Sequence, residues 1–320
     1  MRWILALFLF LTACRPTDGA LEKVEAARER NDGPAMWVAS DEDSTVYLYG
    51  TLHLMPPDLD WRRSDMREAF ARSGTVFFEV PSTPEARERA QALTFGRGSL
   101  PPTERLSDGF DGYERRLLEA AALQADVPLD ALDRLRPWLA SNILLVAAAE
   151  QAGLSPDLAA DEALKSRARR AAKNIQYLDT VDDQIALSAD AGPEEQRAEL
   201  RATLEGYNRL APTLERIADA WVRGDVERLE RLARDPMTGP ALDRILLRRN
   251  GAWADRLARV MEESSGTVFV AVGTAHLVGE GSLQDELEAR GVEVERYLAF
   301  QGDNVIATVD LDNGNPDGED

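Results

Sequence analysis

The segments of this chain that read as β-strand lie at its two ends, and a long helical stretch separates them. Near the start, Met36-Trp37-Val38-Ala39 and Thr45-Val46-Tyr47-Leu48-Tyr49 are rich in aromatic and β-branched residues. They flank the polar turn Ser40-Asp41-Glu42-Asp43-Ser44, which predicts a β-hairpin. Gly74-Thr75-Val76-Phe77-Phe78-Glu79-Val80 follows as a nearly all-apolar strand, after a helix expected over about residues 62–72 with Met66, Ala69 and Phe70 on one face. At the other end, Val268-Phe269-Val270-Ala271-Val272 and Val292-Glu293-Val294-Glu295-Arg296-Tyr297 bracket a helix predicted over about residues 281–290, stopped by Gly291. This strand, helix, strand order predicts a right-handed parallel crossover. From residue 103 to about 261, Leu, Ala, Arg and Glu recur at helical spacing, and Pro137-Trp138-Leu139 opens a strongly apolar helix. The exception is Asn174-Ile175-Gln176-Tyr177-Leu178, a strand expected to return to the same sheet. The fold class that follows is α/β (α+β): one domain over residues 36–309, with a mixed central sheet built from the N- and C-terminal segments and a large, mostly helical middle segment.

The chain has only two histidines, and each closes the same pattern just past a strand: Gly50-Thr51-Leu52-His53 and Gly273-Thr274-Ala275-His276. Strand ends are where α/β sheets place chemistry. Because the two copies lie at opposite ends of the chain, any site they share is assembled by the fold and not by one loop. Glu79 is the third candidate, since an ionised carboxylate beside an apolar strand is costly unless it is paired or bound to metal. Read singly, these residues have plainer accounts, as loop histidines with satisfied hydrogen bonds and a glutamate at a strand exit. Together, two imidazoles and a carboxylate are a common way to hold a divalent metal with open positions, or to supply a general base.

The 57 acidic and 37 basic residues give a formal charge of −20, which repels phosphate backbones and excludes general nucleic-acid binding. Part of that charge sits in residues 310–320, an acidic tail with too few apolar residues to anchor it, expected to be disordered. Arg2, an apolar run over residues 3–11, and Leu11-Thr12-Ala13-Cys14 resemble a bacterial lipoprotein signal, with Cys14 the single cysteine of the chain. The expectation is a signal peptide over residues 1–13, a tether over residues 14–35, and attachment to the lipid membrane through lipidated Cys14. Arg15 stands where an aspartate would favour inner-membrane retention. The predicted location is therefore the bacterial cell envelope, at the outer membrane and facing the periplasm. No Gly-x-Ser-x-Gly elbow, phosphate loop or dinucleotide fingerprint is present.

Several motifs in fixed order carry a resemblance: Leu48-Tyr49-Gly50-Thr51-Leu52-His53, Val76-Phe77-Phe78-Glu79-Val80, Arg136-Pro137-Trp138, Leu178-Asp179-Thr180 followed by Gln184, Trp221-Val222-Arg223-Gly224-Asp225, Arg249-Asn250 with Trp253, and Val272-Gly273-Thr274-Ala275-His276-Leu277-Val278-Gly279. By these the chain resembles the TraB/GumN family, which is similar to Tiki-type metalloproteases and more distantly to erythromycin esterase-like and ChaN-like proteins. The resemblance implies a site of two Gly-x-x-His motifs, a glutamate and an arginine, here His53, His276, Glu79 and Arg249. The implied metal ligands are His53, Glu79 and His276, with Mn, Co or Zn as the divalent metal. Arg249 would stabilise an oxyanion or capture a substrate carboxylate, against the plainer account of a cation at the C-terminal end of the run Leu242-Asp243-Arg244-Ile245-Leu246-Leu247. Two positions depart from the family pattern, Ala159-Ala160-Asp161 and Leu178-Asp179-Thr180.

The activity so implied is a membrane-anchored, metal-dependent hydrolase, peptidase-like, acting on a peptide or small-molecule substrate. Two alternatives stay open at this point. One is a metal-independent, esterase-like hydrolase in which Glu79 orients a histidine base. The other is a non-enzymatic envelope protein that sequesters a peptide signal.

Overall fold

The computed structural model describes residues 33–57, 59–235 and 237–297. Cys14, the signal, most of the tether and the acidic tail lie outside the described residues. The hairpin forms as the sequence predicts: β1 (Met36–Ser40) pairs antiparallel with β2 (Ser44–Thr51). The other strands are β3 (Thr75–Phe78), β4 (Asn174–Tyr177), β5 (Gly266–Gly273) and β6 (Val294–Arg296). They form one six-stranded sheet in the order β4-β3-β5-β2-β1-β6. The four strands from β4 to β2 run parallel, with β5 inserted between β3 and β2, which precede it in the chain. The sheet is therefore mixed and drawn from both ends of the sequence.

Alternation along the strands covers both faces. Tyr47, Tyr49, Val76, Phe78, Phe269 and Ala271 point to one side, and Val46, Leu48, Phe77, Val268, Val270 and Val272 to the other. The first side is packed by α1 (Ser64–Arg72) through Met66, Ala69 and Phe70, and by α5 (Ala160–Arg170) through Ala160, Leu164 and Ala168. The second is packed by α8 (Arg248–Glu263) through Trp253, Ala254, Leu257 and Met261, and by α9 (Leu283–Glu288) through Leu283 and Leu287. Helices thus sandwich the sheet, the arrangement that lets near-continuous apolar strands such as β5 be buried on both faces.

Between β3 and β4 lie α2 (Pro84–Gly98), α3 (Gly112–Gln124) and α4 (Pro137–Gln151), and after β4 come α6 (Val181–Ala189) and α7 (Pro193–Val222). Pro137 occupies the first turn of α4, where its missing N–H is harmless. At 30 residues, α7 is about 45 Å long and belongs to two cores. Leu200, Leu204, Tyr207, Leu210 and Leu214 join a helical core with α3 and α4, while Ile217, Ala218 and Trp221 pack on the sheet. The long helix holds the helical layer over one end of the sheet.

The predicted C-terminal crossover differs in one respect. β6 does run parallel to β5, but its hydrogen-bonded neighbour is β1, to which it is antiparallel, so the connection passes over two strands to reach the sheet edge. No helix among the described residues is long and apolar enough to cross a membrane.

Candidate active site

Adjacent parallel strands end on the same edge of the sheet, and the residues just beyond those ends are the ones the sequence singles out. Glu79 directly follows β3, His276 lies three residues past β5, and His53 two residues past β2. The duplicated motifs are offset by one residue, since Thr51, not Gly50, is the register partner of Gly273. The two glycines accordingly do different things. A Cβ on Gly50 would lie 2.9 Å from Thr274 Oγ1 and 3.2 Å from Thr274 Cα, so the bare backbone admits the second loop. A Cβ on Gly273 would lie 3.1 Å from Glu79 Oε1, 3.3 Å from His53 Nε2 and 3.8 Å from His276 Cδ2. Gly273 keeps open the point on which all three side chains converge.

Each imidazole is tied down through Nδ1. The His276 Nδ1–H donates to Asn250 Oδ1 at 2.6 Å, and Asn250 itself is held by the Gly281 carbonyl at 2.7 Å. His53 Nδ1 lies 3.3 Å from Asp161 Oδ1 at the start of α5, and the other Asp161 oxygen accepts from Lys165 Nζ at 3.1 Å. The buried Lys165 ammonium also reaches Glu162 at 2.9 Å. His53 Nε2 is then left facing Glu79 Oε1 at 3.8 Å.

Glu79 receives the Gly273 N–H on Oε1 at 2.6 Å and Arg249 Nη2 on Oε2 at 2.5 Å. Arg249 follows a π-helical turn, Asp243–Leu247, and lies in the first turn of α8. The sequence-based account of a cation at a helix C-terminus is therefore wrong, because the helix runs on through Arg249 to Glu263. Such π turns recur at functional sites, and this one presents the Ile245 carbonyl to Arg249 Nη1 at 3.1 Å. Nε donates to Asp179 at 2.8 Å, Nη1 also meets His276 Nε2 at 3.0 Å, and Nη2 also meets Gln184 at 3.3 Å. Those contacts use all five donors of a guanidinium. Arg249 is therefore built to hold Glu79 and His276 in place, and it has no free N–H for an oxyanion or a substrate carboxylate. Trp253 completes the support: its ring lies under the guanidinium at 4.5 Å, packs at a tilt of 38° against His276 with ring centres 4.4 Å apart, and its indole N–H donates to Asp179 at 2.8 Å.

The electrostatics follow from this wiring. Burial opposes ionisation of Glu79, but Arg249, the two histidines and the Gly273 N–H outweigh it and bring its pKa down to about 2. Burial, and next the Arg249 guanidinium, push His276 down to about 3, so its imidazole is neutral. For His53 burial acts downward, yet the charge and hydrogen bond of Asp161, and then Glu79, raise the pKa on balance. Burial works upward on Asp161, but Lys165 and His53 hold it well below the usual carboxylate range. The site thus offers an ionised carboxylate and a neutral imidazole, with a second imidazole more basic than usual.

A cavity of about 840 Å³, measured out to open solvent, reaches this cluster. Its polar end holds His53, Glu79, Gln184, Arg249 and His276, and its wall is formed by aliphatic side chains of α4, α7 and the segment around the π turn.

A model of the TraB/PrgY/gumN family matches residues 35–296. The chain belongs to the TraB/PrgY/gumN family. Among its relatives is the uncharacterized protein YbaP of Escherichia coli strain K12, 25% identical over 189 residues, an alignment covering 59% of this chain and 70% of YbaP. The protein of that name from Shigella flexneri matches to the same extent. Metalloprotease TIKI1 of Danio rerio is 26% identical over 313 residues, covering 81% of this chain and 62% of TIKI1, so the chain spans less than two thirds of that relative. No solved structure matches.

In this TraB/PrgY/gumN member the structure brings together all four residues singled out from the sequence, His53, Glu79, Arg249 and His276. The supporting residues Asp161, Lys165, Asp179 and Asn250 were not assigned roles there. Asp179 and Asn250 lie within motifs that carry the resemblance, and Asp179 and the segment Ala159-Ala160-Asp161 also mark departures from the family pattern; both aspartates turn out to hold a site residue. The signal for Trp253 was available in the spacing, since Arg249 and Trp253 are four apart and share one face of α8.

The donor set suits a divalent metal in kind. Both histidines are fixed through Nδ1 with Nε2 turned inward, which is how hydrogen-bonded partners orient metal-binding imidazoles, and Gly273 leaves the space between them and Glu79. As placed, Glu79 Oε2 and His276 Nε2 are both occupied by Arg249, and among the described residues no three His, Cys, Asp or Glu side chains stand close enough to grip an ion.

Proposed function

We propose that this protein is a metal-dependent hydrolase of peptide bonds, anchored in the bacterial envelope through Cys14. The observation that carries the reading is the meeting of His53, Glu79 and His276, at the ends of three neighbouring parallel strands, around the point kept open by Gly273. TIKI1, a relative over most of this chain, is named a metalloprotease. The residues that would hold the metal are His53 and His276, each through Nε2, and Glu79, with Arg249 Nη1 giving up its contact to His276. When bound, a divalent ion such as Mn, Co or Zn supplies Lewis-acid polarisation of a carbonyl and acidifies water. The protein's own contribution is preorganisation. Asp161 fixes the tautomer of His53 and Asn250 that of His276, while Arg249 and Gly273 keep Glu79 ionised and aimed. The aliphatic wall lowers the local polarity and strengthens those interactions.

The test is metal content and cleavage of a peptide library by the purified protein after loading with Mn, Co or Zn, compared with His53→Ala and His276→Ala. Loss of bound metal and of cleavage in both variants is expected. Unchanged metal binding in both would remove the metal site from the proposal.

A second reading is favoured by the contact between His53 and Asp161. An imidazole oriented by a buried carboxylate is also the arrangement of a general base, with Asp161 in the orienting role that the sequence suggested for Glu79. Cleavage that survives exhaustive chelation would select this metal-free mechanism.

A further inference from the structure

Resting on the hydrolase reading, we infer that the cavity beside His53 and Glu79 is a specificity pocket for one uncharged, apolar side chain next to the scissile peptide bond. Six large apolar side chains make up much of its wall: Leu54 from the first histidine loop, Leu145 from α4, Leu214 and Ile217 from α7, and Met237 and Leu246 from the segment before α8. Five of the six are themselves buried in the fold and Leu54 is half-buried, so the wall is a fixed surface and not a set of free surface groups. Among the described residues, those lining the cavity that carry a full charge regardless of pH near neutrality are Glu79 and Arg249, and these neutralise one another at 2.5 Å.

Two consequences follow for a substrate. An acidic or basic side chain entering this space would lose its water against the aliphatic wall, and even with His276 Nε2 given over to a metal four of the five Arg249 donors stay committed to Asp179, Ile245, Glu79 and Gln184, while Glu79 accepts from Arg249 and Gly273. An aliphatic or aromatic side chain gains contact with the six wall residues, and in pockets of this kind a single methylene changes kcat/KM by roughly 10–200-fold.

The experiment has two arms. In the first, the Mn-loaded full-length protein in detergent is given a mixed library of capped twelve-residue peptides, and cleavage sites are read by mass spectrometry. Leu, Ile, Met or Phe is expected on one fixed side of the cut, at least about tenfold over Ala, with Asp, Glu, Lys and Arg excluded there. Leu214→Ala and Met237→Ala should broaden the preference toward larger aromatic residues. In the second arm, the His53→Ala protein, which keeps the wall, is titrated by calorimetry with capped five-residue peptides that carry a central Leu or a central Asp. Binding of the Leu peptide at least about tenfold tighter is expected. If wild type cleaves nothing while the second arm shows this preference, the hydrolase reading fails and the pocket assignment stands. Equal cleavage or equal binding of charged and apolar peptides, or no binding of either, overturns the pocket assignment itself.

Discussion

Gly273→Ala separates the site from the fold, because this glycine has ordinary backbone angles (φ −53°, ψ 135°) that alanine also adopts. Loss of glycine's freedom in the unfolded chain then favours the variant by about 0.4–1 kcal/mol. Against this stands the new methyl group, 3.1 Å from Glu79 Oε1 and 3.3 Å from His53 Nε2, contacts from which the two side chains must retreat by a few tenths of an ångström. The melting temperature should therefore stay within about 2 °C of wild type, since in a chain this large roughly 1 kcal/mol moves it by only a few degrees. The chemistry should not survive so well. A misplacement of about 1 Å lowers rates by about 100-fold, so a retreat of a few tenths of an ångström by two of the converging side chains should lower metal affinity and kcat/KM by roughly 3–10-fold. Gly50→Ala is the matched control. Its methyl would strike Thr274, including Cα at 3.2 Å, and backbone cannot yield as a side chain does. Overpacking of about 1–3 kcal/mol and a melting temperature lowered by roughly 2–10 °C are expected there. The measurements are differential scanning calorimetry, bound metal by mass spectrometry, and peptide cleavage. A Gly273→Ala protein with full metal content and activity would refute the convergence of the three side chains on that point.

Asp161→Asn should lower metal affinity or kcat/KM by about 10–100-fold, the usual effect of losing an orienting partner of a histidine, while folding is preserved because Lys165 keeps Glu162 at 2.9 Å; an unchanged pH profile and affinity would make Asp161 a bystander. Glu199, buried in α7 beside Glu195 and within reach of Arg244, has its pKa raised by burial to about 7. The folded state thus favours the neutral acid, so the contribution of Glu199 to stability is fullest below about pH 4.5 and declines as the pH rises through 7, by at most about 3 kcal/mol. Glu199→Gln should flatten that slope, with the variant melting roughly 6 °C above wild type at pH 8 and close to it at pH 4.5; parallel melting curves across this range would contradict the assignment.

The strands and the three site residues at their ends were legible because β2, β3 and β5 are buried on both faces and so read as apolar runs, and because histidine is rare in this chain. The helix Pro84–Gly98 precedes the stretch that reads as helical. Its buried residues are mainly small, Ala86, Ala90, Thr94 and Gly98, which leave little periodic signal. The neighbour of β6 was not legible either, since an edge strand's partner is decided by which edge the tertiary structure leaves open. Arg249 shows the deeper limit. Its residue type and motif marked it for the site, but its role depends on acceptors from Glu79, Asp179, Gln184, Ile245 and His276, which lie in separate parts of the sequence.

The place of β5 between β3 and β2 also sets the order in which this protein can come into being. While the first four-fifths of the chain emerge during synthesis, β2 and β3 have no strand to join them, and each keeps an open edge that invites pairing with other chains. Only when residues 266–273 arrive can the central strand slot in, and contacts between such distant segments form slowly. Gly273 and His276 arrive with that same strand. Closure of the sheet and assembly of the site are therefore one event, and a chain still under synthesis or cut short before β5 carries His53 and Glu79 as two unconnected side chains.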